Sequence, residues 1–248
     1  MYTYDRQFYK YINRGALDSA SEVVPLVQKL VPQIGSVLDV GCGSGAWLSV
    51  WKAVDVKVMG LDGDYVDRAS LLVDVSEFRA VDISSGFSTG ETYDLAQCLE
   101  VAEHLPTTNG ATLVESLCAH ADVVLFSAAA PGQGGENHIN EQPYKYWRDL
   151  FATEGFQMYD VIRRPLLNNK RVMPWYRYNT FLYVRLTARS DLHADLVEWT
   201  VAADQYPVDI SPWLYRLRKL LVGLLPAAVM TRLAVLKKYL VPLMPGVR

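Results

Sequence analysis

The sequence predicts an α/β fold, an open and mostly parallel sheet with helices on its faces. Three observations point there. Short β-branched runs alternate with helix-period segments from residue 36 to residue 187, the pattern of strands joined by right-handed crossovers. The first run closes on a glycine-rich turn, and three successive runs end in an aspartate. With 248 residues, half of them hydrophobic and 21% charged, the chain can bury a core of that size. Its 11% aromatic content excludes a disordered polymer.

The elements follow in order. Residues 4–31 read as two helices around Arg14-Gly15, with Pro25 bending or restarting the second. Residues 36–40 (SVLDV) form a first buried strand and 46–54 a helix. Strands follow at 56–61 (VKVMGL), 78–81 (FRAV) and 93–99 (YDLAQCL). A helix covers 108–119, a fifth strand 122–127 (DVVLFS), and a further helix 144–154. Residues 156–164 and 177–187 read as two last strands, close enough in sequence to pair antiparallel.

The ends differ from the middle. Residues 208–248 hold seven Arg or Lys against Asp209 alone, a charge of +6, so residues 1–207 carry −9 of the net −3. Apolar stripes at Trp213–Leu225 and Leu233–Leu240 alternate with this basic charge. They suit a helix pair packed on the domain, a homodimer contact, or a basic amphipathic segment lying on anionic lipid at the inner membrane surface. The expected division is therefore 1–30 (helices), 31–190 (the sheet domain) and 191–248 (the basic helical extension). Cys42, Cys98 and Cys118 are too few for a disulfide framework, which favours a reduced, cytoplasmic setting. No apolar leader opens the chain and no stretch reaches spanning length, so neither a secretory signal nor a membrane span is expected.

Val37-Leu38-Asp39-Val40-Gly41-Cys42-Gly43-Ser44-Gly45-Ala46 is the strongest signal. Glycine lets a ligand touch the backbone, and the following helix offers free N–H groups. Gly41, Gly43 and Ala46 satisfy a dinucleotide GxGxxA pattern. An S-adenosylmethionine site wants an acid just ahead of the first glycine to meet ammonium and sulfonium charge, and Asp39 supplies it. Asp62, ending the second strand, suits ribose hydroxyls under either reading. Asp82, ending the third, suits an adenine amino group, with Ile83 as a flat apolar neighbour. Three carboxylates at successive strand ends sit where open α/β sheets bind ligands.

At these residues the sequence resembles the class I S-adenosylmethionine-dependent methyltransferases, over roughly residues 30–187. The matching parts are LDVGCGSGAW, the acid at Asp62, VDIS at 81–84 and YDLAQCLEVAEHLP at 93–106. The resemblance implies a Rossmann-like, seven-stranded sheet with its last strand antiparallel. It implies that Asp39 and the Gly41–Gly45 backbone, with Gly43 between, hold the methionine part, Asp62 the ribose and Asp82 with Ile83 the adenine. Cys98 would line the methionine side.

A second constellation is Glu100-Val101-Ala102-Glu103-His104. If a helical turn starts there, Glu100, Glu103 and His104 share one face, and the two acids repel unless a cation or proton lies between them. Bracing of the cofactor loop is the plain reading. The ExxEH is also similar to that of small-RNA terminal 2′-O-methyltransferases and ubiquinone-pathway O-methyltransferases. By that resemblance Glu100, Glu103, His104 and the distant His138 would bind Mg²⁺, Mn²⁺ or Zn²⁺. The ion would activate a hydroxyl; without it, His104 or His138 would serve as general base.

Amide, acidic and aromatic residues at 140–147 and 168–177 suit a carbohydrate or an aromatic polyol. The acidic core argues against nucleic acid. The expected function is O-methylation of a sugar, glycan or small secondary metabolite. An NAD(P)-dependent oxidoreductase and a non-catalytic S-adenosylmethionine-binding partner protein are the alternatives.

Overall fold

A computed structural model describes residues 6–191 and 194–240, with side chains described over 12–188, 196–226 and 228–236. Seven strands form one sheet: β1 (Ser36–Val40), β2 (Lys57–Asp62), β3 (Phe78–Ala80), β4 (Leu95–Leu99), β5 (Val123–Ser127), β6 (Phe156–Tyr159) and β7 (Phe181–Arg185). Their order is β3-β2-β1-β4-β5-β7-β6. Pairs from β3 through β5 are parallel, while β7 runs antiparallel to both β5 and β6. The strand order reverses between β1 and β4, which opens a crevice at their carboxyl ends.

Both faces of the sheet are covered, and the side-chain alternation along each strand decides which residue serves which face. Val37, Leu95, Leu125 and Leu182 point to one cluster, with α1 (Arg6–Leu30) and α2 (Ala46–Lys52). Leu38, Ala96, Val124 and Tyr183 point to the other, with α3 (Gly110–His120) and α4 (Tyr144–Thr153). Two short helices, α5 (Arg163–Leu166) and α6 (Pro174–Asn179), precede β7. The chain continues into α7 (Trp213–Gly223) and α8 (Ala227–Leu240).

Three features depart from the sequence reading by more than two residues. The pair of helices expected around Arg14-Gly15 is a single helix that also runs through Pro25. Ala16, Ala20, Val23, Val24 and Val27 bury one continuous face, and Ser19 ties that face to the body by accepting from the Met173 amide at 2.9 Å. Tertiary packing outweighs the local breakers. The strand expected over 156–164 ends at Tyr159, because Asp160 turns to take a bidentate bond from the wholly buried Arg163 at 2.7 and 2.6 Å. The strand expected from 177 starts at Phe181, since Pro174 opens a helical turn just before it.

Candidate active site

The carboxyl ends of β1, β2 and β4 open onto a cavity of about 490 Å³, closed on its far side by α1, α7 and α8. Gly41 begins its floor at φ +79°, and a Cβ there would lie 2.3 Å from Val101 Cγ2. The turn is thus pressed against the β4 loop with no room for a side chain. Gly43 also takes positive φ, and its N–H donates to Asp62 Oδ2 at 2.7 Å. Asp62 Oδ1 accepts from the Gly63 amide at 2.7 Å and from the Tyr65 hydroxyl at 2.5 Å. Burial raises the Asp62 carboxyl above its usual range, against the pull of these donors. Asp39 is 3% exposed, and burial pushes it up to about 7, with the Gln97 amide lowering it and Asp62 adding to the rise. An adjacent cation would reverse that push.

Not every expected cofactor residue meets the cavity. Asp39, Gly41, Gly43, Asp62, Asp82 and Ile83 line it, whereas Gly45 and Cys98 do not. Gly45, at φ +80°, is the N-cap of α2. Cys98 is fully buried among the apolar side chains beneath the sheet, because its place on β4 aims it at the face opposite Leu99. Asp82 stands at the rim and is exposed. Its Oδ1 caps the turn Ile83–Ser85 by accepting from the Ser84 amide at 3.0 Å and the Ser84 hydroxyl at 2.6 Å. Ser84 holds the Asp82 carboxyl below its usual range.

The ExxEH segment is not the helical face expected. Glu100 takes a left-handed backbone at φ +57°, and the 3-10 turn begins only at Ala102. Glu100 lines the same cavity but is not among the converging ligand atoms of Glu103 and His104. Its carboxylate accepts from Gln133 Nε2 at 2.6 Å and Asn179 Nδ2 at 3.3 Å. Glu103, His104 and His138 do converge, each offering one ligand atom within 4.8 Å of the others.

Within this trio Glu103 is 0% exposed, and neither carboxylate oxygen has a hydrogen-bond partner of good geometry. Burial raises it far above the carboxylate range, Glu100 adds to that, and the amides of Glu103 and Ala129 offset part. His104 Nδ1 lies 3.2 Å from the Asn137 carbonyl. A carbonyl only accepts, so Nδ1 carries the proton and Nε2 the lone pair. Burial holds His104 down to about 3, with His138 next in effect, so the ring is neutral near pH 7. His138 Nδ1 lies 2.8 Å from Glu141 Oε1, which fixes the same tautomer. Glu141 is itself held by the Gly132 and Gly134 amides at 2.8 and 2.7 Å. The two rings meet edge to face at 5.0 Å. Gly135 is required here, since a Cβ would lie 2.0 Å from His138 Nε2. A buried carboxyl that an adjacent cation would return to its anion, two imidazoles and a carboxylate behind one of them form a donor set that fits a divalent ion.

The substrate-side residues divide. Trp175 and Tyr176 line the cavity. Tyr144 and Trp147 are buried in the core, and Asn140 spends its amide on the Ala102 carbonyl at 3.3 Å. Asn169 binds Glu22 at 2.7 Å. The sequence reading missed four contributors: Tyr65 on Asp62, Glu141 as the orienter of His138, Asn13 of α1, and the C-terminal wall. Asn13 Oδ1 accepts from Ser44 at 2.9 Å, which locks α1 onto the glycine turn. Tyr65 and Glu141 were within reach of the sequence, each three residues beyond the residue it binds; Asn13 and the C-terminal wall come from distant segments.

Comparison with known proteins gives the family. A methyltransferase-domain family matches residues 11–162. A dTDP-4-amino-2,3,4,6-tetradeoxy-D-glucose N,N-dimethyltransferase of Saccharopolyspora spinosa is 39% identical over 84 residues, 32% of this chain and 32% of its own. The chain thus spans about a third of that relative's length. The sugar N-methyltransferase of a Streptoalloteichus species superposes with a TM-score of 0.55 at 18% identity, over 72% of this chain and 91% of that one. An amino pentose methyltransferase of Micromonospora echinaspora, solved with S-adenosylmethionine, gives 0.53 at 19%, over 75% and 99%. These matches set aside the dinucleotide reading of the glycine turn. The chain belongs to the methyltransferase-domain family and carries the Rossmann-like fold of the class I S-adenosylmethionine-dependent methyltransferases.

Proposed function

We propose that this protein transfers the methyl group of S-adenosylmethionine to a hydroxyl of a sugar, glycan or small metabolite, with a divalent ion held by Glu103, His104 and His138. The observation that carries the metal-assisted reading is Glu103: a carboxyl wholly removed from water, with no side-chain partner for either oxygen, beside two imidazoles. A buried anion without partners is costly unless a cation or proton answers it.

S-adenosylmethionine supplies a methyl on a cationic sulfur, and a divalent ion supplies a positive charge that eases loss of a hydroxyl proton. The chain's own residues do the rest. Asp39 and the Gly41–Gly43 backbone would hold the methionine part, and Asp62 would hold the ribose. Asp82 and Ile83 form the rim at the adenine end. Asn137 and Glu141 fix both imidazole tautomers, so that Nε2 of each ring can take a metal or a proton. Trp175 and Tyr176 provide the flat apolar wall that a sugar ring packs on. Glu100, bound to amides, braces the loop rather than ligating. We read residues 31–190 as the catalytic unit, acting in the cytoplasm where its three free thiols stay reduced.

A second reading, N-methylation of an amino sugar, is favoured by the name of the partial relative from Saccharopolyspora. An amine needs no metal to become a nucleophile. Chelation separates the two. Under the first reading EDTA abolishes turnover, Mg²⁺ or Mn²⁺ restores it, and Glu103→Gln lowers it by about 10²-fold or more. Full turnover in chelator with Glu103→Gln active would overturn the metal role.

A further inference from the structure

Helix α7 lies on the body the wrong way round for a helix in water. Its inward face is mixed: Lys219 is 7% exposed and its ammonium pairs with Asp209. Tyr215 packs against Tyr178 at 5.2 Å, and Arg218 donates to the Gln133 carbonyl at 2.9 Å. Its outward face carries Trp213, Leu214, Leu217, Leu220 and Leu221, with Leu224 beyond, between 43% and 76% exposed. Their spacing is that of one helical stripe, which a water-facing helix normally turns to the core. An exposed apolar row of this kind marks a contact surface. Among the described residues nothing covers it.

Charge selects the occupant. This segment is the +6 end of a chain whose remainder is −9, with Arg216 exposed on the helix that carries the stripe and Arg232 exposed on α8. Two copies meeting stripe to stripe would bring basic surface onto basic surface. An anionic bilayer matches both the apolar row and the charge. Among the described residues no helix is long and apolar enough to cross a membrane, so the contact is a surface one.

The stripe is continuous with the active site. Val222, Met230 and Ala234 line the cavity from within. Leu225 and Leu233 line it too, yet are 37% and 52% exposed. An apolar lane thus runs from the outer surface into the cleft. We propose that the outward face of α7 seats the protein on an anionic lipid bilayer, and that the acceptor is an amphiphile whose polar end enters the cleft while its hydrocarbon end stays in the membrane. The acceptor class rests on the methyl-transfer reading; the docking does not.

Vesicle flotation of the full chain tests the docking. Binding to mixed phosphatidylglycerol and phosphatidylcholine vesicles exceeds binding to phosphatidylcholine alone by about tenfold or more, and weakens at high salt. Leu217→Glu with Leu221→Glu reduces it by about tenfold or more, with circular dichroism and S-adenosylhomocysteine affinity unchanged. Equal binding to both vesicles overturns the proposal. So does a dimer in solution that the double variant renders monomeric, since a second copy then covers the stripe. For the acceptor, labelled methyl from S-adenosylmethionine incubated with host membranes partitions into the organic phase; label confined to the aqueous phase overturns that part. If methyl transfer itself is wrong, S-adenosylhomocysteine fails to bind while flotation persists.

Discussion

Glu141 shows how much of the candidate site lies one residue behind the converging trio. It touches neither cofactor nor acceptor in the proposed scheme, yet it accepts from His138 and from two loop amides at once. It therefore sets the tautomer of His138 and the path of the loop that carries it. Glu141→Gln keeps an acceptor for the loop but removes the anion behind the imidazole. The expected result is a divalent-ion affinity weaker by about 10–100-fold, measured by calorimetric titration, with an unchanged circular dichroism spectrum. Glu103 and His104 were legible from spacing alone. Glu100 was not, because the periodicity argument assumes helical backbone from residue 100, and the chain enters the turn through a left-handed residue instead. Cys98 failed for the opposite reason: the strand was right, but which face of the strand met the cleft was not readable.

At the scale of elements, the glycine turn and the helices that close over it decide the cavity. Gly41 combines positive φ with a Val101 methyl 2.3 Å from any Cβ. Gly41→Ala therefore pays both backbone strain and overpacking, a destabilisation of about 2–4 kcal/mol, to be read as a lowered thermal midpoint. An unchanged midpoint would mean that the turn is not pressed against the β4 loop. The central strands β1, β2, β4 and β5 were legible because a parallel strand buried on both faces reads as a short apolar run between breakers. The single helix α1 was not, since Gly15 and Pro25 are local breakers that only the buried face of Ala16–Val27 overrides. Nor was the orientation of α7, whose stripe is plain in the sequence but whose outward aim is set by Lys219, Tyr215 and Arg218 gripping the body.

Over the whole molecule, buried acids gather at one end of the sheet and couple pH to stability. Asp39 rises from an ordinary value of 3.8 to about 7 on folding. The folded state thus binds its proton more tightly than the unfolded chain does. That contribution is complete below about 3.8, shrinks as pH rises toward 7, and is exhausted above it, a loss on the order of 4 kcal/mol. His104, lowered to about 3, works in the other sense: its burial costs stability below pH 6.5 and nothing above. Comparison with Asp39→Asn isolates the first effect. The stability advantage of wild type over this variant falls from about pH 4 to about pH 7 and then levels. Bound S-adenosylmethionine, placing positive charge near Asp39, restores the wild-type advantage above pH 7. Chemical denaturation across that range checks both statements; a pH-independent difference would place Asp39 in contact with water or a permanent cation.

The sequence by itself determined the α/β class, the glycine turn with its acids, the ExxEH segment and the charge division between body and tail. These are properties of nearest neighbours and short periods, which local sterics and burial patterns fix. Only the tertiary structure decided that Glu100 is held by Gln133 and Asn179 beside the trio instead of within it, that Glu141 and Asn137 orient the two imidazoles, and that α7 faces its leucines outward over the cleft. Apart from the local Glu141–His138 contact, those outcomes depend on contacts between segments about thirty to more than ninety residues apart, and no local pattern encodes which distant surface a side chain will meet.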